Sequence, residues 1–135
     1  MPEEFEWKPE LSVGIGEIDV QHRKIMEIIR EISGESREKA AETVSFLKIY
    51  AQEHFKTEEM YMLQTAYPKY KEHRQNHVLF LERIDEMIEI MNARETDDGQ
   101  RARLCREIYE WFGEHINNVD RSMGDFIKMK ISKNR

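Results

Sequence analysis

Apolar residues recur along the chain at alternating steps of three and four, the period of an amphipathic helix. The pattern predicts four helices and a shorter fifth one, over about residues 19–33, 37–65, 68–93, 100–118 and 121–131. "SGES" at 33–36 and "ETDDG" at 95–99 interrupt the pattern as turns, and Pro68 suits the first turn of the third helix. The segment before residue 19 has no helical period and is expected to pack across the helices as a loop.

The helical spacing also predicts how the helices pack. Alternating steps of three and four form the buried seam of helices that lie nearly parallel or antiparallel. Short connections make consecutive helices antiparallel neighbours. We therefore predict an all-α fold, an up-down-up-down four-helix bundle with an N-terminal loop and a short C-terminal helix. The length of 135 residues fits one domain, over residues 1–135.

Composition and charge narrow the classes of function. The chain is 39% hydrophobic and 36% charged, with a net charge of −6, which argues against a nucleic-acid-binding surface. No apolar run approaches the length that spans a bilayer, and the acidic N-terminus lacks the apolar core of a signal peptide. A cytoplasmic location is expected. Cys105 is the single cysteine and is expected to be a buried thiol rather than a metal ligand.

All five histidines fall on the inward stripes, with at least one on each of the four main helices. One inward histidine is usually a core residue with a hydrogen-bond partner, but five together with a glutamate need many partners in a dry core. His54 and Glu58 are four residues apart, as are His73 and His77, so each pair projects from one helix face. These spacings predict a metal site formed by His22, His54, Glu58, His73, His77 and His115. Without metal, such histidines are expected to destabilise the fold in acid, where they become charged.

Asp120 is a further candidate ligand, although it lies five residues after His115. On a regular helix that spacing turns the side chain about 140° away from the seam. Either the helix ends within "INNVD" at 116–120, or an i to i+5 turn aligns the two residues; otherwise Asp120 is a surface charge. Seven nitrogen and oxygen ligands suit two ions that share the carboxylates. Such donors favour iron or manganese, though affinity alone favours zinc or copper.

Four sequence motifs carry a resemblance to a known family. They are "IDVQH" at 18–22, "HFKTEE" at 54–59, "YPKYKEHRQNH" at 67–77 and "HINNVD" at 115–120. With them, and with the opening that begins at Trp7, the chain resembles the hemerythrins, and by its length the bacterial single-domain members of that family. The resemblance spans nearly the whole chain and fills all seven ligand positions.

The resemblance implies a di-iron centre. His73, His77 and His115 would hold one iron, and His22 and His54 the other. Glu58, Asp120 and an oxo or hydroxo group would bridge the two irons, and the iron with two histidines would keep an open position for dioxygen. The family's apolar ligand pocket matches Ile25, Phe55, Trp111, Phe112 and Ile116. Two polar residues beside ligands, Gln21 and Glu114, are candidate partners of the ligands, and Met123 stands where relatives often carry tyrosine.

The implied function is reversible binding of dioxygen for carriage, storage or delivery, without enzymatic activity. An oxygen-consuming enzyme would then be the recipient. Two alternatives stay open: a module that senses oxygen or redox state, and a di-iron enzyme that acts on peroxide or nitric oxide. The site residues do not distinguish these functions, and the sequence leaves the oligomeric state and the loaded metal open.

Overall fold

The computed structural model describes residues 6–93 and 97–133, and within them the fold is all-α, as predicted. The described residues form five α-helices and no strand. The helices are α1 (Gly16–Gly34), α2 (Arg37–Thr65), α3 (Tyr70–Asn92), α4 (Asp98–His115) and α5 (Arg121–Lys133). No helix of the described ranges combines the length and the apolar character needed to span a bilayer.

The first four helices close into a bundle in which each helix has two neighbours. Helix α1 packs against α2 and α4, and α3 packs against the same two helices. The core between them contains fully buried aliphatic and aromatic side chains, among them Ile29, Leu47, Phe80, Ile84 and Phe112. Removing each such side chain from water stabilises the fold by ~1.5–3 kcal/mol. The packing confirms the predicted bundle.

The described part of the N-terminal segment packs across the bundle as expected. It contains one 3₁₀ turn at Pro9–Leu11, and Val13 is buried. Asp19 fixes the entry into α1, because its carboxylate accepts hydrogen bonds from the Val13 backbone N–H (2.8 Å) and the Ser12 hydroxyl (2.6 Å). Helix α5 lies directly beneath this segment: a Cβ on Gly124 would stand 2.6 Å from the carbonyl oxygen of Val13.

Three helix starts differ from the prediction, whereas α2 has the predicted bounds and begins with Ser36 as its N-cap. Helix α4 begins at Asp98, two residues early. Helix α1 begins at Gly16, three residues early. Helix α3 begins at Tyr70 instead of Pro68, because Pro68 lies in a turn closed by a 3.3 Å hydrogen bond from the Tyr70 N–H to the Tyr67 carbonyl. Part of the predicted turn at 95–99 lies outside the described residues.

Helices α4 and α5 form one continuous helical rod joined by a π-helical turn over Ile116–Asp120. The predicted α-helix to residue 118 is therefore wrong at its last three residues. The residues that flank the turn, His115 and Arg121, both have right-handed helical backbone angles. The change from i→i+4 to i→i+5 hydrogen bonding occurs within the "INNVD" stretch, so the helix widens there without breaking.

Candidate metal centre

Seven polar side chains meet in the middle of the bundle. The five histidines come from all four bundle helices, at exposures of 0% to 4%. Glu58 on α2 and Asp120 at the end of the π-helical turn are both 0% exposed. A buried carboxylate is costly without compensating partners, so this cluster must be held by strong interactions.

Glu58 stands at the centre of the cluster and points one oxygen at each of two histidine pairs. Its Oε2 lies 3.0 Å from Nε2 of His22 and 3.0 Å from Nε2 of His54. Its Oε1 lies 3.2 Å from Nε2 of His73 and 2.8 Å from Nε2 of His77. The one carboxylate therefore faces imidazoles on both sides.

Asp120 repeats this arrangement from the opposite helix. Its Oδ1 lies 2.9 Å from Nε2 of His73 and 3.0 Å from Nε2 of His115, and its Oδ2 lies 3.0 Å from Nε2 of His22. The π-helical turn makes this contact, because it places residues five apart on one side of the helix. Of the alternatives that the sequence left open, the i to i+5 turn is the one found.

The candidate ligand atoms fall into two groups that share both carboxylates. In each group, one donor atom from every residue lies within 4.8 Å of the others. One group has three histidines and the other has two. The larger contains Glu58, His73, His77, His115 and Asp120, and the smaller contains His22, His54, Glu58 and Asp120.

The cluster has the unpaired polar atoms that a cation would satisfy. Both oxygens of Asp120 and the Nε2 atoms of His54 and His115 lack a hydrogen-bond partner among the described residues, although charged neighbours lie 3.0 Å away. His54 shows the reason. Its Nδ1 is directed at the Gln21 side-chain oxygen at 2.7 Å, which makes Nδ1 the donor and leaves the Nε2 lone pair facing the Glu58 carboxylate. Two acceptors at that distance need a proton or a metal ion between them, so the residues fit a metal site.

Comparison with known proteins agrees with this geometry. A family model described as "Hemerythrin HHE cation binding domain" matches residues 13–127. The chain belongs to the hemerythrin family. The resemblance inferred from the motifs is thereby confirmed, and membership of this family implies non-haem iron as the metal.

Proteins named bacteriohemerythrin are among the curated relatives. That of Clostridium acetobutylicum is 31% identical over 132 residues, covering 90% of this chain and 99% of that protein. That of Stenotrophomonas maltophilia is 29% identical over 132 residues, covering 94% of this chain and 84% of that protein. A more distant one, from Ralstonia nicotianae, is 23% identical over 129 residues.

Two residues outside the seven bind the outer ring nitrogens of this hemerythrin's histidines. Gln21 accepts from His54, so it is the partner that its position suggested. Glu59 accepts from Nδ1 of His77 at 2.9 Å, a contact that sequence reasoning missed. Glu114, the other candidate, is exposed and lines a surface groove beside Trp111. Such partners fix the orientation and tautomer of a ligating imidazole.

Aromatic rings enclose the cluster on both sides. Phe55 stacks on His77 with ring centroids 3.9 Å apart, and Phe112 meets His22 edge-on at 5.5 Å. Trp111 is half-buried and stacks on His115 at 5.1 Å, so it lies against the larger histidine group. The other two predicted pocket residues, Ile25 and Ile116, are fully buried. Met123 is fully buried as well.

The carboxylates and the histidines shift each other's pKa values. Burial raises the pKa of Glu58, but its interaction with His54 and its hydrogen bonds with His22 and His73 outweigh burial and hold the pKa well below its ordinary range. Burial lowers the pKa values of His22 and His73, yet the nearby carboxylates of Asp120 and Glu58 prevail and raise each to about 9. For His54, burial prevails and its pKa is lowered. The pKa of Asp120 is likewise lowered, so both carboxylates stay ionised, the form that can bind a metal ion.

Cys105 takes no part in the cluster. The thiol is fully buried, and burial raises its pKa to about 12. A thiol in this state is not a nucleophile at neutral pH, and Cys105 belongs to neither candidate ligand group of the described residues. The sequence prediction of a buried thiol is confirmed.

Proposed function

We propose that this hemerythrin binds two iron ions, one held by His73, His77 and His115 and the other by His22 and His54. Glu58 and Asp120 would bridge them, together with an oxo or hydroxo group. The observation that carries this proposal is that each carboxylate directs one oxygen at each histidine group. A single ion has no use for a second group of donors, whereas two ions that share carboxylates use all seven residues.

The uneven number of histidines supports a ligand-binding role at the smaller group. When bound and reduced, such an iron pair supplies electrons and an open coordination position to dioxygen. Phe112 packs on His22 and Phe55 lies beside His54, with ring centroids 5.5 Å apart in both pairs. We propose that these rings, together with the buried Ile25 and Ile116, would exclude water and offer no proton to a bound ligand. We propose reversible dioxygen binding as the function, without enzymatic turnover.

The biological setting belongs to the same proposal. The free, buried Cys105 fits a reducing compartment, and we propose that the chain works in the cytoplasm. An enzyme that consumes oxygen would be the recipient of its dioxygen. The sensor and enzyme alternatives use the same seven residues, so the experiment must separate reversible binding from turnover.

Oxygen cycling tests the function. Iron-loaded, reduced protein should develop a visible absorption band in air, lose it under argon and regain it over several cycles. Stopped-flow mixing with oxygen should show no release of peroxide, because the apolar residues around the smaller group provide no general acid. Protein loaded with zinc, which has no redox chemistry, is the control and should stay colourless. Direct conversion to the oxidised protein, or rapid turnover of added peroxide, would contradict reversible carriage.

A further inference from the structure

Helix α2 has a second apolar face that points away from the bundle. Phe46, Ile49, Met60 and Leu63 lie on it, and their side chains are 49% to 61% exposed. On the opposite side of the same helix, Leu47, His54 and Glu58 are buried in the core. Large apolar side chains concentrated on one exposed helix face indicate a surface that is covered by a partner.

The outer face of α2 has the spacing of a coiled-coil seam. The four apolar residues, with the exposed Glu53 and Lys56 between them, follow one another at steps of three, four, three, four and three. We call this set the α2 outer seam: Phe46, Ile49, Glu53, Lys56, Met60 and Leu63. Alternating steps of three and four keep side chains on one stripe over several turns, where they can interlock with a second helix. The seam spans about 25 Å along the helix.

The order of the side chains identifies the second helix. Read in either direction, the seam has two apolar positions, two charged positions and two apolar positions. Two copies aligned antiparallel about the midpoint of the seam would pair Phe46 with Leu63 and Ile49 with Met60. Glu53 of each copy would then face Lys56 of the other copy. We propose that the chain forms a symmetric homodimer through antiparallel pairing of the α2 outer seams.

Other arrangements of the same two seams are unfavourable. In a parallel pair, Glu53 would face Glu53 and Lys56 would face Lys56 of the second copy, and like charges in contact repel. An antiparallel pair shifted by one heptad would place charged residues opposite apolar ones. Within one chain, Lys56 Nζ already lies 3.4 Å from Glu53 Oε1, so the dimer would have four charges of alternating sign at its centre. Orientation and register are therefore both specified.

The proposed dimer is independent of the metal centre. The seam lies on the side of α2 opposite His54 and Glu58, so pairing leaves the buried cluster unchanged. One helix from each chain makes a small interface, and small interfaces bind weakly. We expect a reversible equilibrium between monomer and dimer, with or without bound iron.

Sedimentation velocity of the full chain, from about 1 µM to 1 mM, tests the surface. The unmodified protein should shift from monomer to dimer within this range. Ile49→Glu should weaken the dimer at least about tenfold, because it places a charge in an apolar layer. Leu79→Glu is the matched control, since Leu79 is 46% exposed but lies on α3, and it should leave the dimer intact. A monomer at every concentration, or equal effects of the two variants, would overturn the proposal.

A charge exchange tests the register. Glu53→Lys gives each seam two lysines and Lys56→Glu gives it two glutamates, so each variant alone should dimerise at least about tenfold more weakly. Mixed together, the two variants should form a heterodimer, because every lysine then faces a glutamate. A merely structural role of these exposed residues would not restore association on mixing. If the mixture associates no better than either variant alone, the antiparallel register is wrong.

Discussion

Two histidines on neighbouring helices differ in the group that holds their outer nitrogen. His54 donates to the neutral amide of Gln21, whereas His77 donates to the carboxylate of Glu59. A carboxylate that accepts the Nδ1 proton makes the imidazole a stronger electron-pair donor to a metal ion through Nε2, because the carboxylate stabilises positive charge on the ring. The two histidine groups are thus expected to bind iron with different strength. The larger group is expected to bind iron more strongly, because its His77 is the stronger electron-pair donor.

Glu59→Gln tests this difference. The substitution keeps a side-chain oxygen near His77 but removes the negative charge, so iron affinity should fall about 10- to 100-fold. Competition with a chelator under anaerobic conditions measures the affinity, and the reduction potential of the loaded protein should rise. Glu114→Gln is the control, because it removes the same charge from an exposed position one residue before His115. Equal affinities for the two variants would show that the hydrogen bond to His77 has no role in iron binding.

At the scale of the element, the π-helical turn positions Asp120. A regular helix aligns residues four apart, and the turn over residues 116–120 aligns residues five apart by accommodating one extra residue. Asn117 and Asn118 are exposed within it, while Ile116 and Asp120 are buried. The helical faces before and after the turn therefore keep their orientation towards the bundle.

Deletion of Asn118 should be tolerated for this reason. It would convert the turn into regular α-helix and leave His115 and the aspartate four residues apart, still on one side. We expect folding and metal content to be retained, with stability changed by less than about 2 kcal/mol. Circular dichroism measures folding and thermal stability, and elemental analysis measures the metal content. Deletion of Glu110, exposed in the regular part of α4, would instead rotate the following residues by about 100° and should abolish metal binding. Loss of metal on deleting Asn118 would contradict this view of the turn.

The sequence predicted the elements better than the contacts between them. Helix α2 and the inward positions of the histidines follow from local periodicity, which depends only on residues of the same helix. The i to i+5 turn could be proposed because His115 and Asp120 lie on one chain segment. The contact between Glu59 and His77 could not be predicted, because it joins α2 to α3. Glu59 is also turned about 100° around the helix from Glu58, which lies on the buried face. Likewise, Pro68 is compatible with both a turn and a helix start, and only packing decides between them.

At the scale of the whole molecule, the buried charges make stability depend on pH. In metal-free protein, the pKa values of His22 and His73 are raised from 6.5 to about 9. Their stabilising effect is complete below pH 6.5 and is lost as the pH rises towards about 9. The pKa values of the Glu58 and Asp120 carboxylates are lowered. These two groups therefore stabilise the fold at pH values above the ordinary carboxyl pKa, and this stabilisation is lost in acid. The raised pKa values of His22, His73 and His77 favour the opposite of the sequence-based expectation that charging the histidines destabilises the fold. The lowered pKa of His54 favours that expectation.

Thermal unfolding at several pH values tests in which direction the stability changes with pH. The Tm of metal-free protein should fall between pH 6.5 and 9, because the histidines with raised pKa values lose their protons in this range. The increase in Tm on adding iron anaerobically should grow over the same range, because metal binding requires the deprotonated imidazoles. A metal-free Tm that rises from pH 6.5 to 9 would show that the buried carboxylates do not hold protonated histidines.

The central claim is that seven buried residues form one site for two iron ions. The stoichiometry of ferrous iron binding tests it most directly. Metal-free protein would be titrated anaerobically with ferrous iron, and the bound metal would be determined by elemental analysis after removal of the excess. The account predicts about two irons for each chain, as a shared-carboxylate site requires. A single tightly bound iron for each chain, reproduced across preparations, would contradict it.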